Sequence, residues 1–169
     1  PVPQPTVTPT PVPQPTVTPP PVPPTPTPTP VLPLTLEMLN NAAYRSEWEE
    51  SGSITLTDGR YEGKPFVEGG ASRLVVILLE PVAFGDLDDD GVEDAAVLLA
   101  SNAGGSGTFI DLTVVISEVF STNPVATTSL GDRTRIQSVA IESGQIMLEM
   151  IPHGPDDPMC CPPQRVMQT

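Results

Sequence analysis

Asp86-Leu87-Asp88-Asp89-Asp90-Gly91-Val92-Glu93-Asp94 is an acidic loop set between apolar runs. Leu74 to Leu79 and Val82 to Phe84 precede it, and Ala95 to Ala100 follows. Both flanks read as strand rather than helix. Arg73–Leu79 is a continuous apolar run of the kind expected of a strand covered on both faces. Ala95–Ala100 is expected to pair with it, so the loop joins two strands of one sheet.

The loop has its own chemistry. Carboxylates stand at positions 1, 3, 5 and 9, with glycine at 6. Calcium takes six to eight oxygens at about 2.3–2.6 Å, and one short loop supplies several only by winding around the ion. Asp86, Asp88 and Asp90 alternate and can point to a common centre. Gly91, lacking a Cβ, permits the sharp turn that lets the Val92 carbonyl face inward. Asp94 closes the site. Six acidic side chains in nine residues repel one another, and a bound dication removes that repulsion. The loop is not an EF-hand, because position 12 is Val97 where that motif needs a bidentate Glu. The competing reading is an acidic hairpin turn whose Asp side chains bond only backbone amides.

Outward from the loop, Thr35 can cap a helix with Glu37 in its first turn. Leu36, Leu39 and Ala43 share one face, which predicts a helix to about Ser46. Ser53–Thr57 alternates and turns at Asp58-Gly59. Phe109–Val119 reads as a half-buried strand, with Ile110, Leu112, Val114 and Ile116 facing inward and Asp111, Thr113 and Ser117 outward. Asn102-Ala103-Gly104-Gly105-Ser106-Gly107 leads into it. Arg135–Glu142 and Gln145–Ile151 form a hairpin across Ser143-Gly144. The expected fold is α+β, one N-terminal helix with six to eight mostly antiparallel strands. No repeat of propeller length is visible in residues 31–169.

Residues 1–30 are Pro, Thr and Val with two Gln and no charge. PVPQPTVTPT is followed by the near-identical PVPQPTVTPP. Such a segment cannot bury a core and favours polyproline II, so it reads as a stalk or linker. Residues 31–169 are then one globular domain. The net charge of −14 argues against nucleic acid and anionic membrane surfaces. No apolar run approaches the roughly 20 residues of a membrane helix. Without an initiator Met or a signal peptide, the chain reads as a fragment or mature form. Its anchor would lie upstream, and its last strand, within Gln164–Thr169, reads as truncated.

The two cysteines, Cys160 and Cys161, are adjacent in Asp156-Asp157-Pro158-Met159-Cys160-Cys161-Pro162. Three readings are open: a strained vicinal disulfide, two reduced thiols, or an intermolecular or metal role.

Residues Phe84 to Val97 resemble the calcium loops of FG-GAP and VCBS-type repeats, found between strands in secreted and surface proteins. That resemblance implies Asp86, Asp88, Asp90, the Val92 carbonyl and Asp94 as ligands, with Asp89 and Glu93 facing solvent. Gly85–Ala95, Asn102–Gly105 and Asp157–Pro162 occur in the order seen in small bacterial lipoproteins of the LppP/LprE type. That resemblance implies an exported protein, extracellular, at the cell surface or periplasmic, held near a membrane or cell wall by sequence outside this chain. It supplies no activity.

Enzyme signals are weak. His153, the only histidine, sits in a proline-bounded turn. Gly104-Gly105-Ser106-Gly107-Thr108 has Thr where a nucleophile elbow needs its second glycine, and reads as a flexible hairpin loop. Glu47, Glu49 and Glu50 read as a solvated helix end. Trp48, Tyr44 and Tyr61 read as core or rim packing before a sugar platform. The expected function is a non-enzymatic, exported bacterial surface domain stabilised by one Ca2+. The alternative is a binding or inhibitor module that captures an envelope protein or glycan through loops 102–107 and 156–163.

Overall fold

The computed structural model describes residues 33–118, 121–154 and 166–168. Residues 1–30, expected to be a stalk or linker, and Cys160, Cys161 and the rest of 156–163 lie outside them. Among the described residues the fold is mostly antiparallel β with one short helix. The elements are α1 (Leu36–Asn40), β1 (Ala43–Arg45), β2 (Ser53–Thr55), β3 (Arg60–Pro65), β4 (Arg73–Gly85), β5 (Asp94–Asn102), β6 (Phe109–Glu118), β7 (Ser121–Asp132), β8 (Arg135–Glu142), β9 (Gln145–Ile151) and β10 (Val166–Gln168). Ten strands thus replace the expected six to eight.

Five strands form the central sheet in the order β3-β4-β5-β6-β7, each antiparallel to its neighbour. One face packs beneath α1 and the β1–β2 pair, where Leu39, Tyr44, Ile54 and Leu56 meet Leu74, Val76, Val97, Leu99 and Val115. The opposite face packs against the second sheet, β10-β9-β8, where Val139, Leu148 and Met150 meet Ala96, Leu98 and Ile110. The central sheet is therefore covered on both sides. β5 alternates between the two cores and is buried from Asp94 to Leu99.

This layering corrects three expectations. First, β4 is not the doubly buried strand. Leu74, Val76 and Leu78 face the first core, while Ile77 between them is 39% exposed. Second, the face of β6 assigned to solvent is the more deeply buried one. Thr113 and Val115 are fully buried and Ser117 nearly so, whereas Leu112, Val114 and Ile116 are only half-buried. Polar Thr113 is accommodated because its hydroxyl shares a 3.1 Å hydrogen bond with the Thr127 hydroxyl. Third, the helix stops at Asn40 rather than near Ser46. Thr35 caps it as expected, its Oγ1 accepting from the Met38 N–H. Asn41 then leaves helical geometry, and Tyr44 turns into the core as part of β1. Asn competes for backbone bonds and favours helix ends, and burying Tyr44 in a strand outweighs one more helical turn.

The β8–β9 hairpin has the expected boundaries. Ser143 and Gly144 both have positive φ (51° and 73°), the geometry a two-residue turn needs to match strand twist. β7 has no counterpart in the sequence reading. Its Ser-Thr-Asn-Pro start and Ala-Thr-Thr-Ser middle carry no apolar alternation.

Candidate metal centre

β4 ends at Gly85 and β5 begins at Asp94, and these two residues are the last ladder pair before the acidic loop. The ladder thereby brings the neighbourhood of Asp86 beside Asp94, eight positions on. Gly85 is required here by close approach, since a Cβ would lie 2.6 Å from Ile141 Cγ2 on β8. Inside the loop, Asp89 (φ 62°) and Gly91 (φ 84°) reverse the chain.

Backbone amides converge on the carboxylates. Gly91 N–H donates to Asp86 Oδ2 over 2.9 Å, and Leu87 N–H to Asp94 Oδ2 over 2.9 Å. Asp90 N–H donates to Asp88 Oδ1 over 3.3 Å. Val92 N–H donates to Asp90 Oδ1 over 2.7 Å. Asp94, 1% exposed, also accepts at Oδ1 from Ser117 N–H of β6 over 2.9 Å. These bonds are what a purely hydrogen-bonded acidic turn requires. One atom does not fit that description: Asp86 Oδ1 is buried and has no hydrogen-bond partner.

Asp86, Asp88 and Asp94 each bring a carboxylate oxygen into a group whose members lie within 4.8 Å of one another, a set able to hold a metal ion. All three donors are hard oxygens, the ligand type of Ca2+, Mg2+ and Mn2+. Two members of the expected ligand set stand differently. Asp90 lies outside the gathered carboxylates, its Oδ1 engaged with Val92. Val92 itself enters the network through its N–H. Asp89 and Glu93 are exposed, as expected. Partial loss of water, then the negative charge of Asp90, pushes the Asp88 carboxyl above its ordinary range. Asp94 and Asp86 add to the push, and the Asp90 N–H opposes it.

The Ser117 amide was invisible to sequence reasoning, because it reaches the site from another strand 23 residues away. Only a full strand register could have placed it there.

The other candidates resolve into packing. Tyr44 is a core residue whose hydroxyl donates to the Leu39 carbonyl over 2.8 Å. Burial raises that hydroxyl's pKa. Trp48 packs on Phe109 with ring centroids 4.8 Å apart. Tyr61 donates to Glu49 Oε2 over 2.9 Å. Glu47, Glu49 and Glu50 follow a strand, not a helix end. The glycine loop is organised by Asn102, whose side chain donates to the Gly105 and Gly107 carbonyls and accepts from Gly104 N–H. His153 follows β9 and lies near Asp132, which Arg133 also flanks.

Among the described residues no helix is long and apolar enough to cross a membrane. Compared with protein-family models, with curated proteins and with solved structures, the chain matches none.

Proposed function

We propose that this chain is an exported, non-enzymatic surface domain in which one calcium ion binds at Asp86, Asp88 and Asp94. The Val92 carbonyl and water would supply further oxygens. The observation that carries this reading is the buried, unpartnered Asp86 Oδ1 in a residue of the gathered set. Burying a carboxylate oxygen without a donor costs several kcal/mol unless a cation compensates it. Calcium is favoured over magnesium because the loop offers several carboxylates and an irregular frame, where magnesium demands near-ideal octahedral geometry. Extracellular calcium modules bind at about 10⁻⁴–10⁻³ M, which suits a domain displayed outside the cell. The uncharged Pro/Thr segment at residues 1–30 supports a tethered, extended placement.

Calorimetric titration of the full chain tests the reading. Calcium should bind with one-site stoichiometry, magnesium at least about tenfold more weakly. Asp86→Asn should remove binding, because its amide can still accept from Gly91 but can no longer offer a second anionic oxygen. Absence of calcium binding at millimolar concentration would leave the loop an ordinary acidic turn.

A further inference from the structure

Arg45 ends β1, and Ser46 and Glu47 follow it. With Asp111 of β6 and Thr127 and Ser129 of β7 they line a cleft of about 330 Å³. Asp111 and Ser129 are ladder partners, and the Ser129 hydroxyl bonds the Asp111 carboxyl. Asp111 and Ser117 sit toward opposite ends of β6, so the cleft lies roughly 20 Å from the acidic loop. Its volume is at the small end of ligand sites, about 300–1,000 Å³, and suits a small molecule.

The charges in the cleft are unspent. Arg60, Arg73 and Arg133 each have a carboxylate partner. Arg45 forms no ion pair among the described residues, although Glu47 and Asp111 line the same cleft, and neither of those carboxylates is paired either. Asp111 is half-buried. Burial raises its carboxyl above the ordinary range, the Ser129 bond opposes this, and the Glu47 charge adds to it. A half-buried carboxylate beside a like charge, with no cation on it, costs stability, and such groups cluster at functional sites.

We propose that this cleft binds a small basic amino acid, its carboxylate on Arg45 and its two ammonium groups on Glu47 and Asp111. The ligand class follows from the charge inventory. One guanidinium and two carboxylates are matched by one carboxylate and two ammonium groups. The guanidinium fork suits a carboxylate in two-bond geometry. Ser46, Thr127 and Ser129 add hydroxyls that both donate and accept. A ligand ammonium on Asp111 supplies the cation that the empty cleft lacks. The net charge of −14 raises the local concentration of a cationic ligand.

Calorimetric titration of the full chain with L-lysine tests this. Lysine should bind with one-site stoichiometry. L-Alanine, lacking the second ammonium, and cadaverine, lacking the carboxylate, should each bind at least about tenfold more weakly. Arg45 is exposed, so Arg45→Gln leaves the fold intact. That variant should lose at least about tenfold in lysine affinity and leave cadaverine unchanged. Asp111→Asn removes only the raised carboxyl and should weaken both ligands. No lysine binding up to about 10 mM would overturn the proposal. Cadaverine binding as tightly as lysine would also overturn it, since the cleft would then be a cation-attracting surface without a carboxylate subsite.

Discussion

Ser117 N–H donates to Asp94 Oδ1 over 2.9 Å, joining the far end of β6 to the first residue of β5 through two buried residues. The other oxygen of the same carboxylate accepts from Leu87 in the acidic loop. Asp94 is thus both a structural clamp between strand and loop and a member of the candidate metal set. Asp88, exposed and in the same set, accepts only a long 3.3 Å bond from Asp90 N–H within the loop itself.

The two residues should therefore separate in mutagenesis. Asp94→Ala removes two charge-assisted bonds and should cost about 2–4 kcal/mol even in chelator. Asp88→Ala should cost less than about 0.5 kcal/mol in chelator and lose the ion's contribution in calcium. Urea unfolding of both variants under both conditions checks this. Equal losses for Asp88→Ala in chelator and calcium would count against the ion.

Gly85 holds the loop's entry against β8. A side chain there would overlap Ile141, whose Cβ lies 2.8 Å from the added atom. Gly85→Val should destabilise by about 1–3 kcal/mol through overpacking. The denaturation midpoint should fall with an unchanged slope.

Tyr44 fixes the helix end to the core. Tyr44→Phe keeps the ring and removes only the donor to the Leu39 carbonyl. The expected cost is about 1–2 kcal/mol, and thermal unfolding reads it. A neutral outcome would mean that water replaces the hydroxyl.

Asp111 and Asp132 should give opposite pH dependences. Burial, with the Glu47 charge also acting, raises the Asp111 carboxyl above its ordinary range against the Ser129 hydrogen bond. The folded state then holds that proton more readily than the unfolded chain, so this group's penalty is present at neutral pH. It is relieved as pH falls through the raised value. The hydrogen bond from Arg133, opposed by burial and helped by the Thr108 N–H, lowers Asp132. Its contribution is present above the ordinary carboxylate range and lost as pH falls through the lowered value. Asp111→Asn should be more stable than the parent chain at pH 7 and Asp132→Asn less stable. Both differences should shrink in acid. Urea midpoints across the range decide it, and differences of the same sign at neutral pH would contradict the assignment.

What the sequence made legible is local. The acidic loop, the capping of α1 by Thr35 and the Ser143-Gly144 hairpin each depend on residues a few positions apart, and each was readable. The layering was not. Alternation in β6 shows two kinds of face but not which one meets a core, and the second sheet buries one while α1 and β1 bury the other. β7 escaped because its pairing with β6 is carried by backbone and by Thr127, not by an apolar pattern. In the site, spacing picked out Asp86, Asp88 and Asp94, whose carboxylates gather, and also Asp90, whose Oδ1 accepts from Val92 N–H. Loop spacing cannot separate oxygens that hold the loop from oxygens left for an ion.

The most direct test is thermal unfolding of the full chain in chelator and then in about 10 mM calcium, alongside Asp86→Asn. With affinity near 10⁻⁴ M, calcium should add about 2.7 kcal/mol, a rise of roughly 5–10 °C for a domain of this size. Asp86→Asn should show no rise while melting near the parent chain in chelator. An unchanged melting temperature in calcium, or an equal rise in both proteins, would contradict a structural ion at this loop.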